Sequence, residues 1–171
     1  AEAVRSVLAQ DAAGRDVVVH VVDNASPGGD AQTLSAMHRD ENWGAQVVLH
    51  LKAENHGFGR GNNVALNALA AAPCPPEHVL LLNPDATLTP GALEKLAGFL
   101  DSHPQVGCVG ARISQPGHGP ASAAFRFPGP LVEFTSAANI GPISQLLGNQ
   151  TLWHPPDRPT GQVDWVAGAA V

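Results

Sequence analysis

Three short aliphatic runs, "VVVHVV" at 17–22, "AQVVLHL" at 45–51 and "HVLLL" at 78–82, constrain this chain more than anything else in it. Each is nearly unbroken, which suits a strand buried on both faces better than one with a solvent side. Segments of helical period stand around them. "AEAVRSVLAQ" has Ala3, Val4, Val7 and Leu8 at helical spacing, residues 31–38 are helix-like, and "NVALNALAAA" at 63–72 is a strong helix. After the third run, Thr89 is expected to cap a helix with Pro90 at its first position and Leu93, Leu96, Ala97 and Leu100 along one side. "VGCVGARI" at 106–113 reads as a fourth strand. Strands alternating with helices predict an α/β fold with a mostly parallel, Rossmann-like sheet and helices on both faces.

The rhythm stops after residue 113. Residues 114–162 are rich in Pro, Gly and Ser, and so long an irregular stretch in a compact domain is usually functional or disordered. "VDWVAGAAV" at 163–171 is strand-like again. At 171 residues the chain fits one domain with a real core. It opens in the middle of a helical segment and closes on a strand without a terminating signal, so truncation at both ends is expected.

Composition narrows the function. The formal charge is −6 with the acidic residues scattered, so neither a basic stripe for nucleic acid nor a polybasic membrane patch is present. No stretch reaches the roughly 18 apolar residues of a membrane helix, and no charged-then-apolar leader opens the chain. Cys74 and Cys108 are too widely spaced to suggest a disulfide or a zinc site, and a reduced cytoplasmic setting follows. The eight histidines form no HxxxH or HExxH pattern. His20 and His50 fall inside strand-like runs and read as packed or solvent-facing residues, not ligands.

In an open parallel sheet, ligands bind beyond the carboxyl ends of the strands. Three polar stretches fall at such ends: Asp23-Asn24, "ENHGFGRGNN" at 54–63, and Asn83-Pro84-Asp85. Asp, Asn, Pro and Gly are also the residues turns prefer, and that plainer reading stays open for Asp23 and Asp85. The glycine stretch places Gly57, Gly59 and Gly61 before a helix opening with Asn62 and Asn63. Close backbone approach and free helix amides would suit a phosphate, although a tight strand-to-helix turn explains it equally. It is neither a dinucleotide fingerprint nor a P-loop. Asp85 is the natural candidate for a hard divalent cation, which one or two carboxylates plus substrate phosphates commonly hold.

The stretches "VVVHVVDNASPGG", "ENHGFGRGNN", "LLLNPDATLTPGAL" and "VDWVAGAAV" stand in the order and spacing of family 2 glycosyltransferases. They most resemble the bacterial rhamnosyltransferase-like branch, over about residues 1–113 and again 163–171. The resemblance implies a GT-A fold, with 1–113 as the nucleotide-sugar-binding part and 114–171 as the incomplete start of an acceptor-binding part. Asp23 would contact the nucleotide base with Asn24 beside it, and Asn55, Gly57 and Phe58 would border the nucleotide, followed by Asn62. Asn83-Pro84-Asp85 matches the DxD-type motif, with Asn83 replacing the first aspartate and Asp85 binding Mg²⁺ or Mn²⁺ at the diphosphate.

Such enzymes invert the anomeric centre by direct displacement. A carboxylate deprotonates the acceptor hydroxyl while a metal stabilises the departing nucleoside diphosphate. The branch points to thymidine diphosphate-rhamnose as donor and to a glycan or lipid-linked acceptor in cell-wall or polysaccharide biosynthesis. It implies a cytoplasmic protein, with any contact at the inner membrane face peripheral. The chain departs from the family in two places. The opening strand, ending in a Val-Thr-Tyr-Asn-like stretch, is missing before Ala1. The acidic pair that supplies the base is expected beyond Val171, and Glu133, Asp157 and Asp164 do not match it. Poor turnover is therefore expected.

A non-catalytic nucleotide-sugar-binding or scaffold protein is the alternative. A nucleotidyltransferase is weaker, because its Gly-rich, Arg/Lys-containing loop would fall in the missing region. Trp165 reads first as core and second as a platform for a sugar ring. Arg112 and Arg126 suit phosphate or solvated surface equally.

Overall fold

A computed structural model describes residues 1–127, 129–130, 133, 152–157 and 159–171. Contacts divide the chain into two compact units, Ala1–Asp101 and Ser102–Val171.

The first unit runs α1 (Glu2–Leu8), β1 (Val19–Asp23), α2 (Asp30–Asp40), a 3-10 turn (Gly44–Gln46), β2 (Val47–Leu51), α3 (Phe58–Ala70) and α4 (Ala92–Ser102). β1 and β2 pair in parallel, from Val19 opposite Val47 to Asp23 opposite Leu51. Side chains alternate along a strand, so Val19, Val21, Val47 and Leu49 share one face. They pack with Val4 and Leu8 of α1, Met37 of α2 and Trp43 to make the hydrophobic core. Val4 and Leu8 reach it together because residues four apart share a helix face.

The other sheet face carries His20, Val22, Val48 and His50. His20 pairs in register with Val48 and Val22 with His50, which sets the two imidazoles diagonally across the strands. Their rings stack with centroids 5.2 Å apart, and His20 Nδ1 lies 2.9 Å from His50 Nε2. This satisfies one polar edge of each ring, and both residues are half-buried.

Ionic contacts tie the periphery together. Glu41 accepts from Arg5 Nε at 2.9 Å and from the Trp43 indole at 3.2 Å, linking α1 to the end of α2. Asp101 takes both the Arg15 guanidinium and His78.

Element boundaries differ from expectation in three places. α3 begins at Phe58, so most of the glycine stretch is helix and not loop. Its polar and glycine residues imitate a turn, yet Gly57 supplies the break and the helix starts immediately after it. α4 begins at Ala92 because Gly91, at φ +74°, closes a turn in which Ala92 N–H donates to Thr89 O at 3.1 Å. Residues 78–82 form no strand, and of 106–113 only Ile113 enters one. Aliphatic composition favours extended backbone, but a strand also needs a hydrogen-bonded neighbour. β1 and β2 pair with each other.

The second unit holds an antiparallel hairpin, β3 (Ile113–Gln115) with β4 (Gly119–Ala121), and an antiparallel pair, β5 (Ala124–Phe125) with β6 (Trp165–Val166). Short strands thus interrupt the stretch expected to be irregular; its residues 128, 131–132, 134–151 and 158 lie outside the described set. Gly110 packs on Val166 so closely that a Cβ there would meet the valine Cβ at 2.6 Å. Nearby, Ala111 N–H donates to Ala170 O at 3.0 Å.

Candidate functional site

β1 ends in Asp23, which is 5% exposed. Its Oδ1 accepts the Ser26 N–H at 3.0 Å, and its carbonyl accepts the Lys52 N–H at 2.9 Å. The second bond carries the β1–β2 ladder one step past Leu51, so both strands end level and their following loops emerge side by side.

Asn24 is the hub that joins those loops. Its Nδ2 donates to Asn55 Oδ1 and to the Gly57 carbonyl, each at 3.1 Å. Its Oδ1 accepts the His56 N–H at 3.3 Å. Asn55 Oδ1 also accepts the Gly57 N–H at 2.9 Å. Gly57 adopts φ +83°, ψ 169°, a region essentially reserved for glycine. Its carbonyl then accepts the Gly61 N–H at 2.9 Å and starts α3. The first N–H groups of the helix therefore follow directly on the network and carry the positive end of its dipole. Phe58 stands 69% exposed at the helix start, and Asn62 is half-buried one turn on.

Asn83 and Asp85 lie on a separate turn of the same unit. The Asn83 carbonyl accepts the Ala86 N–H at 3.1 Å, with Pro84 and Asp85 at the two central positions. Proline presets the backbone for that place in a turn. Asp85 is thus a turn residue, and the same turn leaves its carboxylate exposed. Downstream, Leu88 N–H donates to Ser6 Oγ at 3.0 Å, anchoring the segment to α1. The oxygen donors of Asn83 and Asp85 suit a hard cation that takes its remaining ligands from phosphate or water. Among the described residues no three His, Cys, Asp or Glu side chains gather as a metal cluster.

Direct hydrogen bonds thus bring together Asn24, Asn55 and Gly57, with Asp23 adjoining and Phe58 and Asn62 on the helix that follows. Gly61 lies so near Asn24 that a Cβ there would meet its Nδ2 at 3.3 Å; the glycine pattern marked the helix entry without showing what packs there. Trp165 is 41% exposed, against its first reading as core.

Two parallel strands whose carboxyl ends converge on a glycine-led helix define a ligand-binding α/β unit. The sequence profile described as glycosyl transferase family 2 matches residues 1–137, and the chain belongs to that family. Its fold is accordingly GT-A, and its activity is that of a glycosyltransferase, moving a sugar from a nucleotide-sugar donor to an acceptor. A search of curated proteins and a search of solved structures each returned no match. No helix among the described residues is long and apolar enough to cross a membrane.

Proposed function

We propose that residues 1–113 bind the donor of an inverting, metal-dependent rhamnosyltransferase and that 114–171 contribute to its acceptor side. The donor is thymidine diphosphate-rhamnose. The acceptor is a glycan or lipid-linked glycan of bacterial cell-wall or polysaccharide biosynthesis, met in the cytoplasm or peripherally at the inner membrane face. The carrying observation is the Asn24–Asn55–Gly57 network, which fixes the end of β1 to the start of α3.

In this reading the Asp23 carboxylate accepts from the nucleotide base, and Asn24 and Asn55 hold the bordering loop in place. Exposed Phe58 flanks the nucleotide, and the leading amides of α3, with Asn62 behind them, favour the anionic diphosphate. Asp85 holds Mg²⁺ or Mn²⁺ at the diphosphate, and Asn83 beside it contacts the nucleotide sugar. The bound cation supplies charge neutralisation for the departing nucleoside diphosphate. The base that takes the acceptor hydroxyl proton is assigned to none of Glu133, Asp157 and Asp164.

Calorimetric titration of thymidine diphosphate-rhamnose, with and without Mn²⁺, tests the site on the wild-type chain and on Asp85→Ala. Metal-dependent binding that weakens at least about tenfold in the variant, roughly 1.4 kcal/mol, is the expected result. Binding that ignores both the metal and the substitution would refute the assignment of Asp85.

A further inference from the structure

The segment that carries Asp85 is held mainly from outside the sheet. Residues 78–82 pair only through an isolated bridge at Leu82, so no ladder fixes the turn at 83–86 that follows. Beyond that turn the backbone runs irregularly to Thr89, whose carbonyl opens the turn into α4. A carboxylate on a loop keeps a cation only where the loop is fixed, because a ligating group works within about 0.5 Å of its productive place.

Two side chains tie this segment to its neighbours. Well before Asp85, His78 Nε2 lies 2.7 Å from Asp101 Oδ1 near the end of α4. That pair is exposed, and exposed ion pairs contribute little. Just after Asp85, the Leu88 N–H donates to Ser6 Oγ at 3.0 Å, and the Ser6 hydroxyl donates to Ala3 O at 2.7 Å. The second bond takes the hydroxyl proton, so the oxygen offers its lone pairs to Leu88 and the relay runs in one direction. Ser6 is half-buried on α1, whose Val4 and Leu8 pack in the core. The anchor is therefore a docked helix and not a second loop. Leu88 stands three residues after Asp85, a reach of at most about 11 Å of extended chain.

We propose that Ser6 is a positioning residue for Asp85: its hydroxyl, through Leu88, holds the turn at 83–86 where the Asp85 carboxylate meets a divalent cation and the donor diphosphate. The role rests on the assignment of Asp85 given above. Ser6 acts through the loop and touches neither cation nor donor. Without the hydroxyl, the Leu88 N–H loses its partner, and the turn is tied on that side only where α4 begins. A looser turn costs the metal-dependent part of the affinity. It spares the part assigned to Asp23, Asn24 and Phe58, which stand on other segments. A serine that served only the docking of α1 would affect both parts alike, or neither.

The test is a double-mutant cycle on the whole chain, read by calorimetry with thymidine diphosphate-rhamnose in Mn²⁺ and in EDTA. Ser6→Ala is expected to weaken binding in Mn²⁺ about threefold to tenfold and to leave binding in EDTA within about twofold of wild type. Beside Asp85→Ala the same change should cost nothing further, because the loop then has no ligand to place. Ser6→Thr keeps the hydroxyl and should restore most of the loss. Arg5→Gln, which breaks the contact of α1 with Glu41, should keep the Mn²⁺ affinity. If Ser6→Ala does not fold, Ser6→Cys, close in size and a weak acceptor, replaces it in the cycle. A readout without donor is amide exchange by NMR, in which Leu88 should exchange faster in Ser6→Ala than in Ser6→Thr. The positioning role falls if Ser6→Ala binds like wild type in Mn²⁺, if the loss is equal in EDTA, or if it persists beside Asp85→Ala. Donor binding that is absent, or that ignores both Mn²⁺ and Asp85→Ala, removes the assignment of Asp85 and the role of Ser6 with it. Metal-dependent binding lost in Asp85→Ala but untouched in Ser6→Ala removes the role of Ser6 alone.

Discussion

The amide of Asn24 lies against the backbone of Gly61, so that a Cβ at position 61 would come within 3.3 Å of Asn24 Nδ2. The strand end and the helix are fitted to each other through the absence of one methyl group.

Gly61→Ala should therefore separate stability from binding. Alanine favours a helix interior by about 1 kcal/mol over glycine, while the displaced Asn24 loses part of a network in which each bond is worth about 1 kcal/mol. Urea denaturation should show a net change below about 1 kcal/mol, because the two effects oppose each other. Donor affinity measured by calorimetry should fall about threefold to tenfold, because the loop Asn24 holds is the one assigned to the nucleotide.

Trp43→Ala should be the most damaging single change in the first unit. The side chain is 5% exposed and packs with Val4 and Val47, and its indole donates to Glu41. Truncating a buried tryptophan costs about 3–5 kcal/mol, a large share of a domain's total stability. Equilibrium denaturation should place the variant at the edge of folding, and a loss under about 1 kcal/mol would contradict the core described above.

Acid should weaken the fold through His20. Burial, and then the charge of His50, hold the His20 imidazole below the ordinary value of 6.5. The folded state thus binds fewer protons than the unfolded chain in this range, so stability rises with pH. Its contribution is complete above the unfolded value and is lost as pH falls below it. Denaturation midpoints should decline between about pH 7.5 and about pH 5.5 in wild type, and the decline should be shallower in His20→Gln. An equal slope in both proteins would remove His20 as the cause.

The α/β pattern was legible where local signals sufficed. Val19, Val21, Val47 and Leu49 alternate within β-branched runs, and α1 and α2 fall close to their apolar periodicity. What local sequence does not carry is pairing. Residues 78–82 are as aliphatic as β1, yet they pair only through an isolated bridge at Leu82, because a strand is completed by its neighbours. The glycine stretch misled in the other direction: Gly59 and Gly61 have low helix propensity, yet both lie inside α3, and of the two only Gly61 faces a close neighbour, Asn24. Of the site, the residue types and their order were visible, whereas the role of Asn24 as hub depends on the level ends of β1 and β2. The meeting of Trp153 and Trp165 at Phe125 was hidden because antiparallel pairing alone brings them together.

Gly57 and Gly61 stand one helical turn apart and resist substitution for opposite reasons. Space around Gly57 is open, with nothing within 4 Å of a Cβ, but its φ of +83° belongs to glycine. Gly61 sits inside a regular helix, and only its neighbour stands in the way. Under random mutagenesis the two positions should leave different records. Position 61 can drift to alanine if the Asn24 side chain gives by a few tenths of an ångström, so survivors there should carry a weakened site. Position 57 has no partner able to compensate, and glycine alone should return.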